Sequence, residues 1–521
     1  MKTETISSVK RSSLTSRRGF ITACAACGAC FALKPVSFIG ASPFNGTAKK
    51  LKIRNIYSLH EIKQTKPDWP NVGFDFAPFI EKTNVVLKKQ FPGYEFLSSL
   101  ATGPQDAEKI ISADSKENID GYIVFQMNCW NQVVQTAAKS GKPVLYVDFQ
   151  FGGSGGFLVY TSAFLKDKTS NIGFVASSKT EDLLSAVSCF DIISKGGTAS
   201  EFAAATRTAR INSTPKPGKL ACKPDKLKSL SAEENSKKNK ESRILVARDQ
   251  NSGPADPILG IPIEYISFAE VNKAWERADK DESQAVVNKW KKSATEIIGI
   301  PDETLLTSAS MYLGMKSVLK AHDANAITIN CLGGFYGGHI HAYPCLGFHE
   351  LNNEGLVGAC EADVRSTDTM VTFTNMTGRP GYISDPVIDT SKRQIIYAHC
   401  VASNKAFGPD GPVNPFTIMT HSEDRQGASV RSIMPVDYLT TTLEVDASKK
   451  EILFHQAKAV GNDPDDRACR TKICGEPVGD IEKLFGQWSA WGWHRVTFYG
   501  DLKEPVFAFA DSVGWKVVEE A

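Results

Sequence analysis

An excess of charge of either sign is missing from this chain of 521 residues: 60 Lys and Arg stand against 58 Asp and Glu, a formal net charge of +2. Such a balance gives no electrostatic footprint for nucleic acid or an anionic lipid surface, and neither is expected as a partner. Long apolar runs are missing too. The apolar stretch near the N-terminus is interrupted by Lys34 and Pro35, so it is too short and too broken to span a bilayer. No internal repeat is visible. "FGGSGGF" (151–157) lacks both the Gly-Lys-[Ser/Thr] ending of a phosphate loop and the G-x-G-x-x-G spacing. It reads instead as a loop at the carboxyl end of a strand, where parallel sheets bind their ligands. A disulfide framework is lacking as well. Of twelve cysteines, Cys24, Cys27 and Cys30 fall within the first 41 residues, which leaves an odd number. Most of the rest lie in strand-like runs, where a thiol packs as a small apolar group. Cys469 and Cys474, in a polar stretch, are the pair that an oxidising compartment could join.

What is present begins at the N-terminus. Ser16-Arg17-Arg18-Gly19-Phe20-Ile21 fits the twin-arginine pattern S-R-R-x-F-[LI], followed by a weakly apolar stretch and small residues around Gly40, Ala41 and Ser42. Residues 1–41 are therefore expected to be an export signal read by the twin-arginine machinery, with the mature protein periplasmic or otherwise exported. Ile21-Thr22-Ala23-Cys24 resembles a lipoprotein box, which makes lipid anchoring at Cys24 the alternative. Loss of residues 1–41, which carry six basic residues and one acidic, takes the net charge from +2 to about −3.

The remaining length exceeds one core. Over residues 42–207 short apolar runs ("KIRNIYSL", "GYIVFQM", "PVLYVDF", "IGFVAS") alternate with amphipathic segments, the pattern of a doubly wound parallel sheet. Residues 208–242 are rich in Lys, Ser and Pro and read as a linker or surface excursion. A second α/β domain is expected over 243–409, from "RILVA" through "AITINCLGGF". From 410 to 521 short alternating strands such as "YLTTTLEVD" and "HRVTFYGD" point to a β-barrel-like domain.

Chemistry concentrates in "GLVGACEADVRSTDTM" (355–370). Glu361 ends a strand-like run, and a carboxylate there is costly unless paired, hydrogen-bonded or metal-bound. "GYISD" then delivers Asp385 just before Pro386, and "QIIYAHC" delivers His399. If these are consecutive parallel strands of one sheet, their carboxyl ends share a crevice. Carboxylates with an imidazole suit a hard or borderline divalent ion such as Mn²⁺ or Mg²⁺ better than a thiolate-rich zinc site does. Asp363 reads as a helix N-terminal residue. His339 and His341 in "GGHIHAYP" alternate as they would on one face of a strand.

The run "YPCLGFHELNNEGLVGACEADVRSTDTMVTFTNMTGRPGYISDPVIDTSKRQIIYAHC", followed near the C-terminus by "GWHRVTFYGD", resembles the active-site region of the L-fucose isomerase and L-arabinose isomerase family. The resemblance covers residues 243–500, and the N-terminal region only in architecture. It implies that Glu361, Asp385 and His494 bind a divalent metal, usually manganese. It also implies that Glu361 and Asp385 move protons in aldose–ketose isomerisation through an enediolate, with His399 an extra ligand or an outer group. Family members form rings, so self-association is expected. No Arg-containing motif that holds substrate in the cytosolic fucose isomerases is found; Arg54 in "KIRNIYS" is a faint echo. The expectation is an exported, metal-dependent sugar isomerase. The alternatives are epimerisation or glycan cleavage on the same scaffold, or a periplasmic sugar-binding protein without turnover.

Overall fold

In the computed structural model, residues 50–248 and 252–521 are described; the twin-arginine motif, the cleavage zone and Cys24 lie outside them. β1 (Leu51–Ser58), β2 (Tyr94–Ala101), β3 (Gly121–Gln126), β4 (Val144–Asp148) and β5 (Ile172–Val175) form a wholly parallel sheet in the order β2-β1-β3-β4-β5. β3 and β4 are buried along their whole length, as central strands covered on both faces must be. The strand order reverses between β1 and β3, so a crevice opens beyond their carboxyl ends. The expected loop at "FGGSGGF" is in part the first turn of a helix, Ser154–Lys166. Its glycines serve close packing: a Cβ on Gly153 would lie 1.9 Å from the Gln126 carbonyl oxygen.

A second sheet follows. β6 (Ile244–Ala247), β7 (Gly253–Ile258) and β8 (Ile261–Ile266) precede a short β9 (Glu296–Ile298), then β10 (Ala326–Ile329) and β11 (Val357–Cys360). The order is β11-β10-β6-β8-β7, parallel except for the antiparallel edge strand β7. β11 ends abruptly because Glu361 and Ala362 both adopt left-handed backbone, with φ of 71° and 53°. The turn is pinned by the Ala362 N–H donating to the Ile329 carbonyl at 3.0 Å. Asp363 then caps the helix Val364–Thr377, accepting from the Ser366 N–H at 3.1 Å.

The third element is a closed barrel. β12 (Tyr382–Asp389), β13 (Gln394–His399), β14 (Phe416–Met419), β15 (Ser429–Ser432), β16 (Leu439–Asp446), β17 (Glu451–Asn462), β18 (Thr471–Pro477), β19 (Arg495–Tyr499) and β20 (Lys516–Glu519) complete the chain. Six of them run antiparallel in the order β16-β19-β12-β13-β18-β17, and β16 pairs with β17 to close the ring. β20 adds in parallel to β17, and β9, β14 and β15 make a separate three-stranded sheet. The expected architecture, parallel α/β sheets followed by a β-barrel, is the one observed.

Four local expectations differ from the structure. The strands carrying Asp385 and His399 belong to the antiparallel barrel, not to the second parallel sheet. β12 also runs on through Pro386 instead of ending at Asp385; its pairing to β19 stops at Ser384, so the proline sits where that ladder has ended. Residues 208–242 are tethered: the Arg379 guanidinium grips Asp225, the Gly218 N–H donates to Glu476, and the Lys223 N–H to the Asp437 carbonyl. The segment ends in a helix, Ala232–Lys240, with a full capping box at Ser231 and Glu234. His339 and His341 lie in an exposed bend, against Phe268 and Trp275, and share no strand face. Cys469 and Cys474 are buried and unpaired, since β18 carries Cys474 in its middle.

The C-terminus locks the barrel. Glu520 is 1% exposed and accepts from Arg495 at 2.8 Å and from His455 Nδ1 at 2.9 Å, while Arg495 stacks on Trp488. Burial alone would raise the Glu520 carboxyl, but Arg495 and His455 hold it down at about 2. Replacing Glu520 with Gln leaves the Arg495 charge buried without its partner, so we expect a loss of about 3–5 kcal/mol in urea unfolding. Because the folded pKa is depressed, the wild-type contribution is complete above about pH 4.3 and disappears as pH falls toward 2. The variant is expected to lack that part of the acid sensitivity. Ala362→Gly should raise stability by about 0.5–1 kcal/mol, the left-handed strain relieved less the added chain entropy; an unchanged unfolding midpoint would contradict this.

Candidate metal and sugar site

Four side chains from four places in the chain meet where the carboxyl edge of the second sheet faces the barrel. Glu361 leaves β11, Asp385 stands in β12, His399 ends β13, and His494 immediately precedes β19. Glu361 lies 3.9 Å from His399 Nε2 and 3.7 Å from His494 Nε2. Asp385 lies 3.8 Å from His399 Nε2 and 3.1 Å from His494 Nε2. One ligand atom from each of Glu361, His399 and His494 falls within 4.8 Å of the others, with Asp385 reaching both rings. The sequence-identified residues are thus brought together. His339 and His341 are not among them.

Both histidines are buried, yet neither Nε2 has a hydrogen-bond partner. An orphaned ring nitrogen in a buried position is costly, and two of them facing two carboxylates call for a cation or a bound polar group between them. The two rings differ on their far sides. His494 donates its Nδ1–H to Asp363 Oδ2 at 2.8 Å, which turns Nε2 toward the cluster, the orientation a metal-ligating histidine needs once a cation displaces any proton there. His399 Nδ1 instead accepts the Cys400 N–H at 2.9 Å, so the ring N–H is on Nε2 and points into the site as a donor. Glu361, Asp385 and His494 therefore fit a metal, with His399 placed to hydrogen-bond an oxygen beside it.

The electrostatics agree with crowded charge. Burial pushes the Glu361 carboxyl up, with Asp385 and Asp363 adding to the rise against the pull of the two imidazoles. Burial would lower His494, but Asp363, Asp385 and Glu361 together hold it well above an ordinary imidazole. Burial would likewise raise Asp363, yet His494 and Ser366 keep it down at about 2, so it remains an acceptor. Asp363 is both the helix cap the sequence suggests and the partner of His494.

A pocket of about 610 Å³ opens from this cluster. Trp69, Trp130 and Trp493 form an edge-to-face set, with Trp493 6.2 Å from Trp69 and 6.3 Å from Trp130. Tyr336 donates its O–H to Glu423 at 2.8 Å, and burial pushes Glu423 up to about 8. Asp68 completes the rim beside His60. Sequence reasoning left these wall residues unassigned. The signal available was position: Trp69 and Trp130 sit on the loops that leave β1 and β3, the two strands flanking the reversal of strand order. "FGGSGGF" contributes indirectly, since a Cβ on Gly155 would press within 3.2 Å of the Trp493 ring.

No protein-family model matches the chain. It is similar to a sulfoquinovose isomerase of Clostridium sp. (strain MSTE9), 23% identical over 260 residues, which is 49% of this chain and 57% of that protein. It is also similar to a sulfoquinovose isomerase of Priestia aryabhattai, 24% identical over 166 residues, covering 30% and 36% of the two chains. The match thus spans about half the length of the first relative and about a third of the second. Among solved structures, a periplasmic solute binding protein from Actinobacillus succinogenes 130z with bound D-allose aligns over 54% of this chain and 77% of that one. Its identity is 10% and its TM-score 0.17, an overlap that carries no argument. The relatives that this chain resembles in sequence are therefore sugar isomerases, at low identity and over part of their length.

Proposed function

We propose that this chain is an exported, divalent-metal-dependent sugar isomerase that interconverts an aldose and a ketose through an enediolate. The observation that carries the reading is the convergence of Glu361 and Asp385 on two buried imidazole Nε2 atoms that have no other partner. A divalent cation held by Glu361, Asp385 and His494, with Mn²⁺ the expected ion, would supply Lewis-acid polarisation of O1 and O2 of the open-chain sugar. The protein's own groups do the rest. Glu361, its basicity raised by burial, takes the proton from C2. The same proton, or one from solvent, returns to C1, while Asp385 carries the hydroxyl proton from O2 to O1, so that the C1 carbonyl becomes a hydroxyl as the C2 hydroxyl becomes a carbonyl. His399 donates its Nε2–H to a sugar oxygen, and the tryptophans cover the apolar face of the ring and exclude water. The sequence relationship to the sulfoquinovose isomerases supports the reaction class, and the motif order supports the fucose/arabinose isomerase scaffold in particular.

The substrate differs from that of the named relatives in this reading. No Lys or Arg is found among the described residues lining the pocket, and Asp68 and Glu423 add two carboxyl groups to it. A sulfonate would find no cationic side chain to pair with on these walls, so a sugar without an anionic group is the better match. Export is supported by the twin-arginine motif and by the thiols: all nine described cysteines are free and seven are buried, a state suited to folding in a reducing compartment before transport.

In D₂O with Mn²⁺ and a panel of fucose, arabinose, rhamnose and sulfoquinovose, we expect loss of a C2 proton and appearance of a ketose for an uncharged sugar ahead of the sulfonated one. Exchange at C2 without ketose would indicate epimerisation. Retention of every C2 proton by metal-loaded protein would overturn the isomerase assignment. Glu361→Gln is expected to lower turnover by at least about 10²-fold, the usual weight of a general base, while His494→Asn weakens Mn²⁺ binding. Replacing Arg17 and Arg18 with Lys should leave the full-length protein in the cytoplasmic fraction; unimpaired export would remove the twin-arginine route.

A further inference from the structure

Behind His494 the hydrogen-bond network continues to a carboxyl group that no part of the mechanism uses. Glu444 lies on β16, 1% exposed, and its oxygens are 3.1 and 3.2 Å from the Ser366 hydroxyl. That same hydroxyl is 2.9 Å from Asp363 Oδ2, which is 2.8 Å from His494 Nδ1. Four groups from a helix N-terminus, a barrel strand and the residue before another barrel strand thus form one line that ends at the metal and sugar site.

Counting protons along the line fixes its direction. A serine hydroxyl has one hydrogen to donate and stands here between two carboxyl groups. Asp363 already accepts from the Ser366 N–H and from His494, as an ionised carboxylate does. If Ser366 donates to Asp363, its oxygen can only accept from Glu444, and Glu444 must then carry a proton. The reverse arrangement would leave Asp363 facing a lone pair at 2.9 Å and a buried Glu444 charge with a single hydrogen bond. Nor does either nearby cation, Arg495 or Arg365, hydrogen-bond such a charge. Arg495 is committed to Glu520 and to the Gly492 and His494 carbonyls, and Arg365 to the Trp491 carbonyl and Asp446.

We propose that Glu444, as a neutral acid, and Ser366 form a buried relay that holds Asp363 and so keeps the His494 proton on Nδ1, with Nε2 directed into the site. Both are positioning residues: neither touches a sugar or a metal, and both act through Asp363. Burial, helped by the nearby Asp363 charge and only partly offset by Arg495, Arg365 and His494, pushes the Glu444 carboxyl well above its ordinary range, in agreement with the proton count. The relay is read from hydrogen bonds alone, while its consequence for catalysis rests on the isomerase reading above.

Glu444→Gln tests the protonation state directly, because an amide keeps the shape and can donate to Ser366 but carries no charge. Glu444→Leu removes the donor, and Ser366→Ala breaks the line while leaving Glu444 in place. In ¹⁵N-histidine-labelled, metal-free protein, the His494 Nδ1–H resonance is identified by its disappearance in His494→Asn. It is expected at low field and slow to exchange in the wild type and in Glu444→Gln, but shifted or lost to exchange in Glu444→Leu and Ser366→Ala. Mn²⁺ affinity is expected to follow the same order, near wild type for Glu444→Gln and about 10–100-fold weaker for the other two. An unaltered resonance in both disrupted variants would overturn the relay. So would a Glu444→Gln protein as impaired as Glu444→Leu, since that would make the carboxylate charge the working feature. Failure of the wild type to bind Mn²⁺ would count against the metal-dependent isomerase, and the resonance would still decide the relay.

Discussion

Three carboxylates converge on one imidazole, and the arrangement of the molecule follows from the need to keep them there. Glu361, Asp363 and Asp385 all lie within 4 Å of His494, with Asp385 and His494 buried and Glu361 and Asp363 partly open to the pocket. Like charges in a poorly solvated space repel strongly, so the cluster persists only because each carboxylate is held by backbone it cannot escape. Asp363 is fixed by the start of a helix, Asp385 by a strand paired to β13, and Glu361 by a left-handed turn that any relaxation would reopen. The imidazole neutralises part of the repulsion and a divalent cation would neutralise most of the rest.

The sequence exposes these residue types and conceals their frame. Glu361 is legible because a carboxylate after "GLVGAC" has no benign explanation, and Asp363 because Asp three residues before Ser366 is a helix-cap spacing. The alternation of apolar runs and amphipathic segments makes the two parallel sheets readable, and the Thr-rich strands after residue 438 do the same for the barrel. What sequence reasoning misassigned is the membership of β12 and β13. "GYISDPVID" and "QIIYAHC" are continuous apolar runs of the kind that a buried parallel strand shows, because a closed barrel packed against other layers buries both faces as well. Periodicity reports burial and says nothing about which sheet supplies the neighbours. The pocket walls were concealed for another reason. Trp69 and Trp130 sit in loops without periodicity, and only the strand order β2-β1-β3 reveals that their loops face each other.

That misassignment has a physical consequence. Had all four groups come from one parallel sheet, the site would be complete within a single domain. Instead Glu361 depends on the second sheet, while Asp385, His399 and His494 depend on the barrel, and the tryptophan wall depends on the first sheet. The barrel alone lacks the Glu361 carboxylate, and the pocket walls come from all three units. The site therefore reports on the whole assembly of the chain: it is complete only when both parallel sheets are packed against the barrel.

The same division explains how the cluster is tolerated energetically. Two left-handed non-glycine residues and several buried ionisable groups each detract from stability by amounts of order 1–3 kcal/mol. A single small domain, stable by roughly 5–15 kcal/mol, would have little margin for them. Here the charges sit on the seam between large apolar cores. One runs through the second sheet into β16 and β19, and another joins the first sheet to β12, β13 and β18. Both cores bridge the seam, so pulling the cluster apart would require unpacking residues such as Leu443 and Val496 on one side and Ile388 and Tyr397 on the other. Hydrophobic burial, which has no directional preference, supplies the compression. The hydrogen bonds of Asp363, Ser366 and the left-handed turn, which are directional, decide where the charges point. Separating those two roles lets a strained and electrostatically crowded site stay rigid.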